Sequence, residues 1–325
     1  MDQVRTIIKD NLDNCLTQTD FPLGTKHSGK VRDRYGSGDT LFLITTDRQS
    51  AFDRILAAIP FKGQVLNETS VWWFERTRDI IGNHVLDVPD PNVTVARTCE
   101  VFPVEFVVRG YITGTTNTSL WTHYERGART YCGNALPEGL RKNEKLRQPL
   151  LTPTTKALHH DRPVSPREIL KEGLMEEADW SLASDAAMAL FDFGQRTARN
   201  HDLILVDTKY EFGKDPDGNI LLVDEIHTPD SSRYWLADSY EARFSRGEEP
   251  ENIDKEFLRL WFVDHCDPYR DKTLPEPPED LVIELSRRYI QLYEMITGRP
   301  FSFPDRGFPI TERIEKNLSS YLSSG

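Results

Sequence analysis

The stretch LILVDTKYEFGKDPDGNILLVDEIHTPDSSRYW, residues 203–235, has the pattern of a β-hairpin. Two runs rich in Ile, Leu and Val flank a cluster of turn-forming residues at positions 214–219. Because side chains alternate along a strand, one face of the first strand is predicted to carry Leu203, Leu205, Asp207, Lys209 and Glu211. Three successive charged residues on a face that begins apolar are difficult to explain by packing alone.

The turn of this hairpin sets which residues face each other. A two-residue turn at Asp217-Gly218 would place Glu211 opposite Asp224, with Cβ atoms ~5 Å apart. Two facing carboxylates repel each other unless a cation or a shared proton lies between them. A hard cation such as Mg²⁺, which binds carboxylate oxygens and substrate phosphates, would relieve that repulsion. Pro216 beside the turn leaves two alternatives open, a solvated hairpin face and a longer loop with a shifted register.

Size and composition favour a cytoplasmic protein with a large core. A chain of 325 residues is expected to form two lobes. Lys plus Arg number 40 and Asp plus Glu 52, and the net charge of −12 argues against nonspecific binding to nucleic acid or anionic membranes. No apolar run approaches the ~18 residues of a membrane span, and the N-terminus lacks the apolar core of a secretion signal. Four scattered cysteines without a C-x-x-C pair suit a reducing compartment.

Three other stretches combine cations with glycines or hydroxyls. The segment Gly29-Lys30-Val31-Arg32 is predicted to enter a strand with both cations on one face, which could contact a polyphosphate. Arg109, at the end of a predicted strand, precedes a Gly/Thr-rich turn that suits a phosphate monoester. The turn at 228–233 adds hydroxyls and a further arginine, which could complete a clamp. For the first two stretches, solvated surface cations are the alternative explanation.

The remaining pattern is mainly helical. Helices are predicted at 67–81, with Asn67 as N-cap, and at 184–199, 280–297 and 311–322. A short one should start at Ser165, where Ser165-Pro166-Arg167-Glu168 forms a capping box. Residues 125–163 are predicted to be a long functional loop. Within it, the adjacent His159 and His160 point in different directions on any regular element, so no metal site is expected there.

Taken as a set, these motifs resemble the SAICAR synthetase (phosphoribosylaminoimidazole-succinocarboxamide synthase) family over nearly the whole chain. The blocks that carry the resemblance are SGKVRD at 28–33, TDR at 46–48, SAFD at 50–53, FPVE at 102–105, RGYITG at 109–114, LTPTTK at 151–156, VDTKYEFG at 206–213, VDE at 223–225 and TPDSSRYW at 228–235. Thr115 replaces the serine usual in the family and keeps a hydroxyl. The length and the C-terminal helix resemble the long form of the family.

The resemblance implies a two-lobed α+β fold related to ATP-grasp enzymes, with antiparallel sheets, flanking helices and a helical C-terminal extension. It implies a β-rich lobe at 1–104 that covers the nucleotide and a catalytic lobe at 105–325 that includes the C-terminal helices. It also implies the reaction: ATP, L-aspartate and the ribotide carboxylate CAIR give SAICAR, ADP and phosphate through an acyl phosphate, in purine biosynthesis. The expected state is a monomer or small homo-oligomer.

The resemblance also assigns roles to individual residues. The assignments to ATP and Mg²⁺ are Gly29, Lys30 and Arg32 over the ATP phosphates, Glu211 and Asp224 as Mg²⁺ ligands, and Lys209 beside the transferred phosphoryl group. The assignments to the other substrates are Arg109, Thr115, Ser232 and Arg233 around the ribotide 5′-phosphate, Asp53 and Asp230 on its ribose or imidazole amine, and Lys156 on the carboxylates of aspartate or CAIR. Two other functions use the same features, a Mg-ATP-dependent small-molecule kinase and a noncatalytic nucleotide sensor. Only the ligase requires both CAIR and aspartate for ADP release.

Overall fold

Helices and antiparallel sheets alternate along the chain in the computed structural model, which describes residues 3–116, 118–156, 162–253 and 256–324. The helices in these ranges are α1 Gln3–Lys9, α2 Lys62–Arg76, α3 Leu120–Glu125, α4 Pro166–Lys171, α5 Glu177–Arg199, α6 Ala237–Arg246, α7 Glu256–His265, α8 Glu279–Thr297 and α9 Ile310–Ser324. The strands are β1 Thr25–Ser28, β2 Arg32–Ser37, β3 Thr40–Thr45, β4 Arg48–Ala51, β5 Arg54–Ala58, β6 Val85–Asp90, β7 Val93–Arg97, β8 Glu100–Val101, β9 Val104–Ile112, β10 Thr130–Tyr131, β11 Asn134–Ala135, β12 Glu144–Leu151, β13 Thr154–Thr155, β14 Leu203–Lys214, β15 Ile220–Val223 and β16 Ser232–Leu236. The predicted α+β class is confirmed. None of these helices has both the length and the apolar character needed to cross a membrane.

The chain divides into two compact units. The described residues within 1–74, 84–98 and 253–325 form the first unit, and those within 75–83 and 99–252 form the second. This division differs from the predicted lobes 1–104 and 105–325, because the C-terminal helices group with the N-terminal residues. The reason is packing: Ile8 of α1 shares an apolar cluster with Leu285 and Tyr289 of α8.

The first unit contains a five-stranded antiparallel sheet in the order β1-β2-β3-β7-β6 and a separate β4–β5 hairpin. Apolar side chains of this sheet, among them Phe42 and Val95, pack on Ile314 of α9. The C-terminal helix therefore completes a core of this unit. It buries apolar surface that the sheet would otherwise expose to water.

Helix α2 starts earlier than the sequence pattern predicts. It begins at Lys62, so the prediction of an N-cap at Asn67 is wrong. Asn67 lies inside the helix, where its side chain accepts a hydrogen bond from Thr94 Oγ1 at 2.8 Å. The first turn is instead capped from a distance, since the Asp47 carboxylate accepts a hydrogen bond from the Gly63 N–H at 2.8 Å.

The second unit contains a seven-stranded antiparallel sheet with the central order β12-β9-β14-β15, to which β8, β13 and β16 also pair. Helix α5 crosses β14 closely. A Cβ on Gly194 would lie 2.8 Å from Leu205 Cδ2, so only glycine permits this approach. The helix predicted at 184–199 is longer than expected and runs from Glu177 to Arg199. Residues 125–163 are not one long loop, because they contain strands β10 to β13.

A bulge in β14 changes the face on which its side chains lie. The pairing with β16 shifts register between Leu205 and Asp207. Leu205 lies against Gly194 of α5. Phe212 is on the side of the same helix, because it contacts Phe106, which stacks on Trp180 of α5. An odd-numbered and an even-numbered residue therefore share one face. The prediction of unbroken alternation from position 203 to 211 is wrong, and the bulge separates the apolar start of the strand from its charged residues.

The hairpin register also differs from the prediction. Glu211 pairs with Val223, not with Asp224, and Lys214 pairs with Ile220. The loop has five residues because the Asp215 side chain closes it, accepting hydrogen bonds from the N–H groups at positions 217 and 219 at 3.0 and 2.8 Å. The prediction of a two-residue turn at Asp217-Gly218 is therefore wrong, and the observed strand pairing is shifted by one residue.

Two local predictions are confirmed. The capping box at Ser165 opens α4, with reciprocal hydrogen bonds to Glu168. Helix α8 ends at Gly298, whose φ of 66° is the left-handed conformation that glycine adopts without strain. The prediction about His159 and His160 lies outside the described residues.

Candidate active site

One face of the second unit's sheet gathers three carboxylates around a lysine. Lys209 Nζ lies 3.1 Å from Glu105 Oε1 and 3.8 Å from Asp224 Oδ2, and it donates to Glu211 Oε1. Lys156 donates to the other oxygen of Glu211. The strands bring these residues together because Lys209 pairs with Val107, two positions from Glu105 on the same face of β9.

The charges in this cluster stabilise one another. Burial opposes the charged form of Lys209, but the carboxylates of Glu211, Glu105 and Asp224 raise its pKa well above the usual value. Its side chain keeps 27% exposure, whereas that of Glu211 keeps 7%. Lys209 therefore carries a positive charge through the neutral pH range, at a position that an anionic substrate can reach.

Asp224 reaches the cluster through an unusual backbone conformation. It follows the last residue of β15 and has a φ of 66°, which is uncommon for a residue with a side chain. The predicted opposition of Glu211 and Asp224 is absent, yet both carboxylates contact the same ammonium group. Backbone strain of this kind is often found at functional sites.

The donor set is suited to magnesium. Among the residues that the structure describes, no group of three or more His, Cys, Asp or Glu side chains is arranged to hold a metal. Mg²⁺ does not require such a group, because it commonly binds one or two carboxylates together with water and substrate phosphates. Glu211 and Asp224, whose carboxylates both contact Lys209 Nζ, could supply these two carboxylate ligands.

A second cluster on this sheet contains two arginines in one row. Asp207 of β14 pairs with Arg109 on β9 and with Arg233 on β16. Its Oδ1 accepts from Arg233 Nε at 3.0 Å, and its Oδ2 accepts from Arg233 Nη2 at 2.7 Å and from Arg109 Nη1 at 3.4 Å. Arg109 is held further by Thr152 Oγ1 at 2.9 Å and the Thr118 carbonyl at 3.2 Å.

Two turns and the first residue of β16 lie beside this arginine row. Gly114 has a φ of 99° and lies beside Arg233 Nη1. A Cβ there would lie 2.4 Å from Ser119 Oγ and 3.1 Å from Arg233 Nη1, so the turn packs this closely only with glycine. Thr115, which follows, is exposed. The Ser232 hydroxyl is buried, 2.7 Å from Thr208 Oγ1. The Asp230 N–H lies 3.3 Å from Thr228 Oγ1 in the neighbouring turn.

The other predicted site residues belong to the first unit. Gly29 and Arg32 close a tight turn between β1 and β2, with a hydrogen bond of 2.8 Å from the Gly29 N–H to the Arg32 carbonyl. Lys30 lies in that turn, so the prediction that Lys30 and Arg32 share a strand face is wrong. The Lys30 ammonium contacts Asp53 Oδ1 at 2.5 Å. Asp53 and its neighbour Phe52 have φ values of 59° and 54°, forming the turn of the β4–β5 hairpin.

Arg48 fixes the backbone of the Gly29–Arg32 turn, a role the sequence analysis did not assign. The Arg48 guanidinium donates to the carbonyls of Gly29 at 2.9 Å and Lys30 at 3.2 Å. It also donates to Asp33 Oδ1 at 2.7 Å. Burial alone would raise the pKa of the Asp33 carboxyl, but the hydrogen bonds from Arg48 and Thr19 hold it below the usual value.

Sequence reasoning also gave no role to Glu105 or Asp207. Both lie on the charged faces of their strands, and strand alternation could have indicated them: Glu105 is four residues from Arg109, and Asp207 is two from Lys209. The pairing of β9 with β14, which brings the two faces together, is not visible in a single sequence.

Comparison with known proteins agrees with this geometry. A sequence model of the SAICAR synthetase family matches residues 25–276. The phosphoribosylaminoimidazole-succinocarboxamide synthase of Legionella pneumophila (strain Lens) is 62% identical over 308 residues, covering 95% of this chain and 99% of the relative. The chloroplastic enzyme of that name from Arabidopsis thaliana is 59% identical over 327 residues, covering 99% and 80%. A solved structure, SAICAR-synthase from Saccharomyces cerevisiae complexed with SAICAR, is 31% identical with a TM-score of 0.76 and covers 89% of this chain and 100% of that one. The chain therefore belongs to the SAICAR synthetase family.

Proposed function

We propose that the two clusters on the second unit's sheet carry out the SAICAR synthetase reaction. The enzyme is an ATP-dependent ligase that joins L-aspartate to the carboxylate of CAIR, giving SAICAR, ADP and phosphate in purine biosynthesis. The observation that carries the assignment to these residues is the convergence of Glu211 and Asp224 on the protonated Lys209, on the sheet that also holds Arg109 and Arg233.

The chemistry requires activation of a poor electrophile. A carboxylate resists attack by an amine, so ATP first phosphorylates the CAIR carboxylate to an acyl phosphate. The amine of aspartate then attacks the acyl carbon, the C–O bond to phosphate breaks, and the amine loses a proton. The protein aligns the reactants and neutralises charge on the transferred phosphoryl group. Lys209 supplies a fixed positive charge for that purpose.

Glu211 and Asp224 would hold Mg²⁺. When bound, the ion would neutralise phosphate charge and orient the triphosphate. The ammonium groups of Lys209 and Lys156 contact the two oxygens of Glu211. Cation binding would therefore replace an ammonium contact, and the released Lys156 would be available for a substrate carboxylate.

The arginine row would bind the ribotide 5′-phosphate. Arg109 and Arg233 supply two guanidinium groups, Thr115 and Asp230 belong to the neighbouring turns, and Ser232 begins β16. Support comes from the Saccharomyces cerevisiae SAICAR-synthase complexed with SAICAR, which is 31% identical to this chain. SAICAR and CAIR share the ribose phosphate, so one clamp would serve substrate and product.

The turn in the first unit would contact the ATP phosphates. Gly29 leaves this part of the turn without a side chain, and Lys30 and Arg32 add two cations. The Lys30–Asp53 contact is between exposed side chains, so it contributes little stability and would exchange readily for a phosphate. Asp53 would then be available for a substrate contact. Cytoplasmic location, a monomeric or small homo-oligomeric state and the absence of nucleic-acid partners remain predictions.

A substrate-omission assay tests this function. Purified protein with Mg-ATP should release ADP continuously only when CAIR and L-aspartate are both present. Sustained ADP release with CAIR alone or aspartate alone would identify a kinase. No release under any combination, together with nucleotide binding measured by calorimetry, would identify a sensor and contradict the proposal.

A further inference from the structure

The arginine row contains a buried acid whose charge is opposite to what an anion site needs. Asp207 keeps only 9% of its side chain exposed, and its two oxygens accept three hydrogen bonds from Arg109 and Arg233. A phosphate dianion approaching this row is repelled by the carboxylate and attracted by both guanidiniums. Judged by net charge alone, removal of Asp207 should strengthen phosphate binding.

The geometry points the other way. Asp207 occupies the Nε–Nη2 edge of Arg233, at 3.0 and 2.7 Å, in the bidentate arrangement that fixes a guanidinium plane. With that edge held, Nη1 lies on the side of Gly114. The same carboxylate contacts Arg109 Nη1 at 3.4 Å, so one acid sets the positions of two cations that would otherwise repel each other.

The backbone makes this arrangement rigid. Asp207 is on the central strand of three and pairs directly with Arg109 on one side and Arg233 on the other. The bulge between Leu205 and Asp207 places the carboxylate on this face of the sheet. A site on paired strands holds its side chains more accurately than a site built on loops.

We infer that Asp207 is a positioning residue for the phosphate clamp, which holds the guanidiniums of Arg109 and Arg233 in the geometry that recognises a phosphate monoester. The inference rests on the proposed function, in which those arginines bind the ribotide 5′-phosphate. Asp207 does not touch the phosphate. Its effect on the substrate passes through the two arginines.

The test compares CAIR with the riboside that lacks the 5′-phosphate. For each variant, the ratio of kcat/KM for CAIR to kcat/KM for the riboside reports how much the phosphate contributes. Asp207→Asn should lower this ratio about 10- to 100-fold, the loss expected for a charge-assisted hydrogen bond, while the KM for ATP stays unchanged. Net charge alone predicts a ratio equal to or above that of the wild type, and that result would overturn the inference.

Two further variants separate the inference from the function on which it rests. Arg233→Ala should also lower the ratio. If Arg233→Ala lowers it and Asp207→Asn does not, Arg233 binds the phosphate but Asp207 does not position it, and the inference is wrong. If Arg233→Ala leaves the ratio unchanged, the phosphate assignment itself fails. Asp192→Asn is the matched control, because it breaks an exposed Asp–Arg pair on α5 and should leave the ratio at the wild-type value.

A charge-conserving variant covers the case in which Asp207→Asn does not fold. Asp207→Glu keeps the buried charge but moves the carboxylate outward by one methylene group. It should fold, keep the wild-type KM for ATP and still show a raised KM for CAIR. A wild-type KM for CAIR in this variant would overturn the inference, since only the charge and not its position would then matter.

Discussion

At the scale of single residues, the carboxylates of the first cluster are paired with lysine ammonium groups. Two lysines and three acids share one sheet face, and each Glu211 oxygen has an ammonium partner. A buried carboxylate without a partner would be costly, and the two ammonium contacts offset that cost for Glu211. The same neutralisation explains how strained and charged residues persist in a folded core.

Glu211→Gln tests whether this acid is a metal ligand. Glutamine keeps the size of the side chain but loses the negative charge that a hard cation needs. We expect turnover to fall at least about 100-fold, with an increased Mg²⁺ concentration for half-maximal activity and unchanged circular dichroism. The measurement is the ADP-release rate as a function of Mg²⁺ concentration.

Asp224→Asn should give the same pattern, since both acids contact the same site. Asp217→Asn is the matched control, being exposed at the tip of the same hairpin, and it should behave as wild type. Full activity with a wild-type Mg²⁺ dependence in either acid variant would remove the metal assignment.

At the scale of elements, the sequence predicts where strands and helices lie better than how they pair. The runs of Ile, Leu and Val predict the hairpin correctly, but its register depends on the Asp215 side chain closing the loop. The bulge before Asp207 depends on the pairing with β16, and the start of α2 depends on Asp47, which is distant in sequence. Each error has one cause: a contact between segments that a local pattern cannot contain.

The structure nonetheless brings the carboxylates of Glu211 and Asp224 to the same ammonium group, and their role as metal ligands stays a prediction. The prediction rests on two facing carboxylates, which repel each other unless a cation or a shared proton lies between them. The observed register pairs Glu211 with Val223 instead. The family resemblance supplied the other site residues as motifs. The block at 206–213 includes Asp207 but gives it no role, because its partners come from two neighbouring strands.

Arg48→Lys tests the turn that would contact ATP. Lysine keeps the charge, but its single ammonium group cannot reach the carbonyls of Gly29 and Lys30 and the Asp33 carboxylate together. The turn should lose its fixed geometry, raising the KM for ATP about 10-fold, the loss expected for one hydrogen bond to a charged group, while the KM for CAIR stays within twofold. Steady-state kinetics with each substrate varied in turn gives both values.

Arg34→Lys provides the comparison for this variant. Arg34 is exposed on β2 of the same hairpin, so the identical substitution there should change neither KM. Equal increases in the KM values for ATP and CAIR in Arg48→Lys would indicate a general loss of stability rather than a role in the nucleotide turn.

At the scale of the whole molecule, the C-terminal residues belong to the fold of the N-terminal ones. Arg313 of α9 forms two hydrogen bonds of 3.0 Å with the buried Asp90, and Asn317 adds a third at 2.8 Å. These polar contacts flank the apolar packing of α9 on the sheet. The first unit is therefore assembled from both ends of the chain, and its stability depends on groups that are far apart in sequence.

That dependence includes a titrating acid on α2. Burial raises the pKa of Glu68 from 4.5 to about 7, opposed by a hydrogen bond from Gln64 and the charge of Arg313. A hydrogen bond from Tyr293 also opposes this rise in the pKa. The folded state thus retains a proton that the unfolded chain releases above pH 4.5. The stability from this carboxyl is fully present below pH 4.5 and is lost as the pH rises through about 7.

Glu68→Gln should flatten this pH dependence, because glutamine does not ionise and keeps an oxygen for Gln64. Relative to wild type, the variant should gain about 1–3 kcal/mol in free energy of unfolding between pH 5 and pH 8. Asp47, whose pKa burial raises to about 6, is present in both proteins and cancels from the difference. Urea unfolding at several pH values gives this difference, with Glu75→Gln on the exposed side of the same helix as control. If the difference does not change with pH, Glu68 is already ionised in the folded protein at pH 5. Charged groups other than Arg313 would then offset the cost of burying its carboxylate.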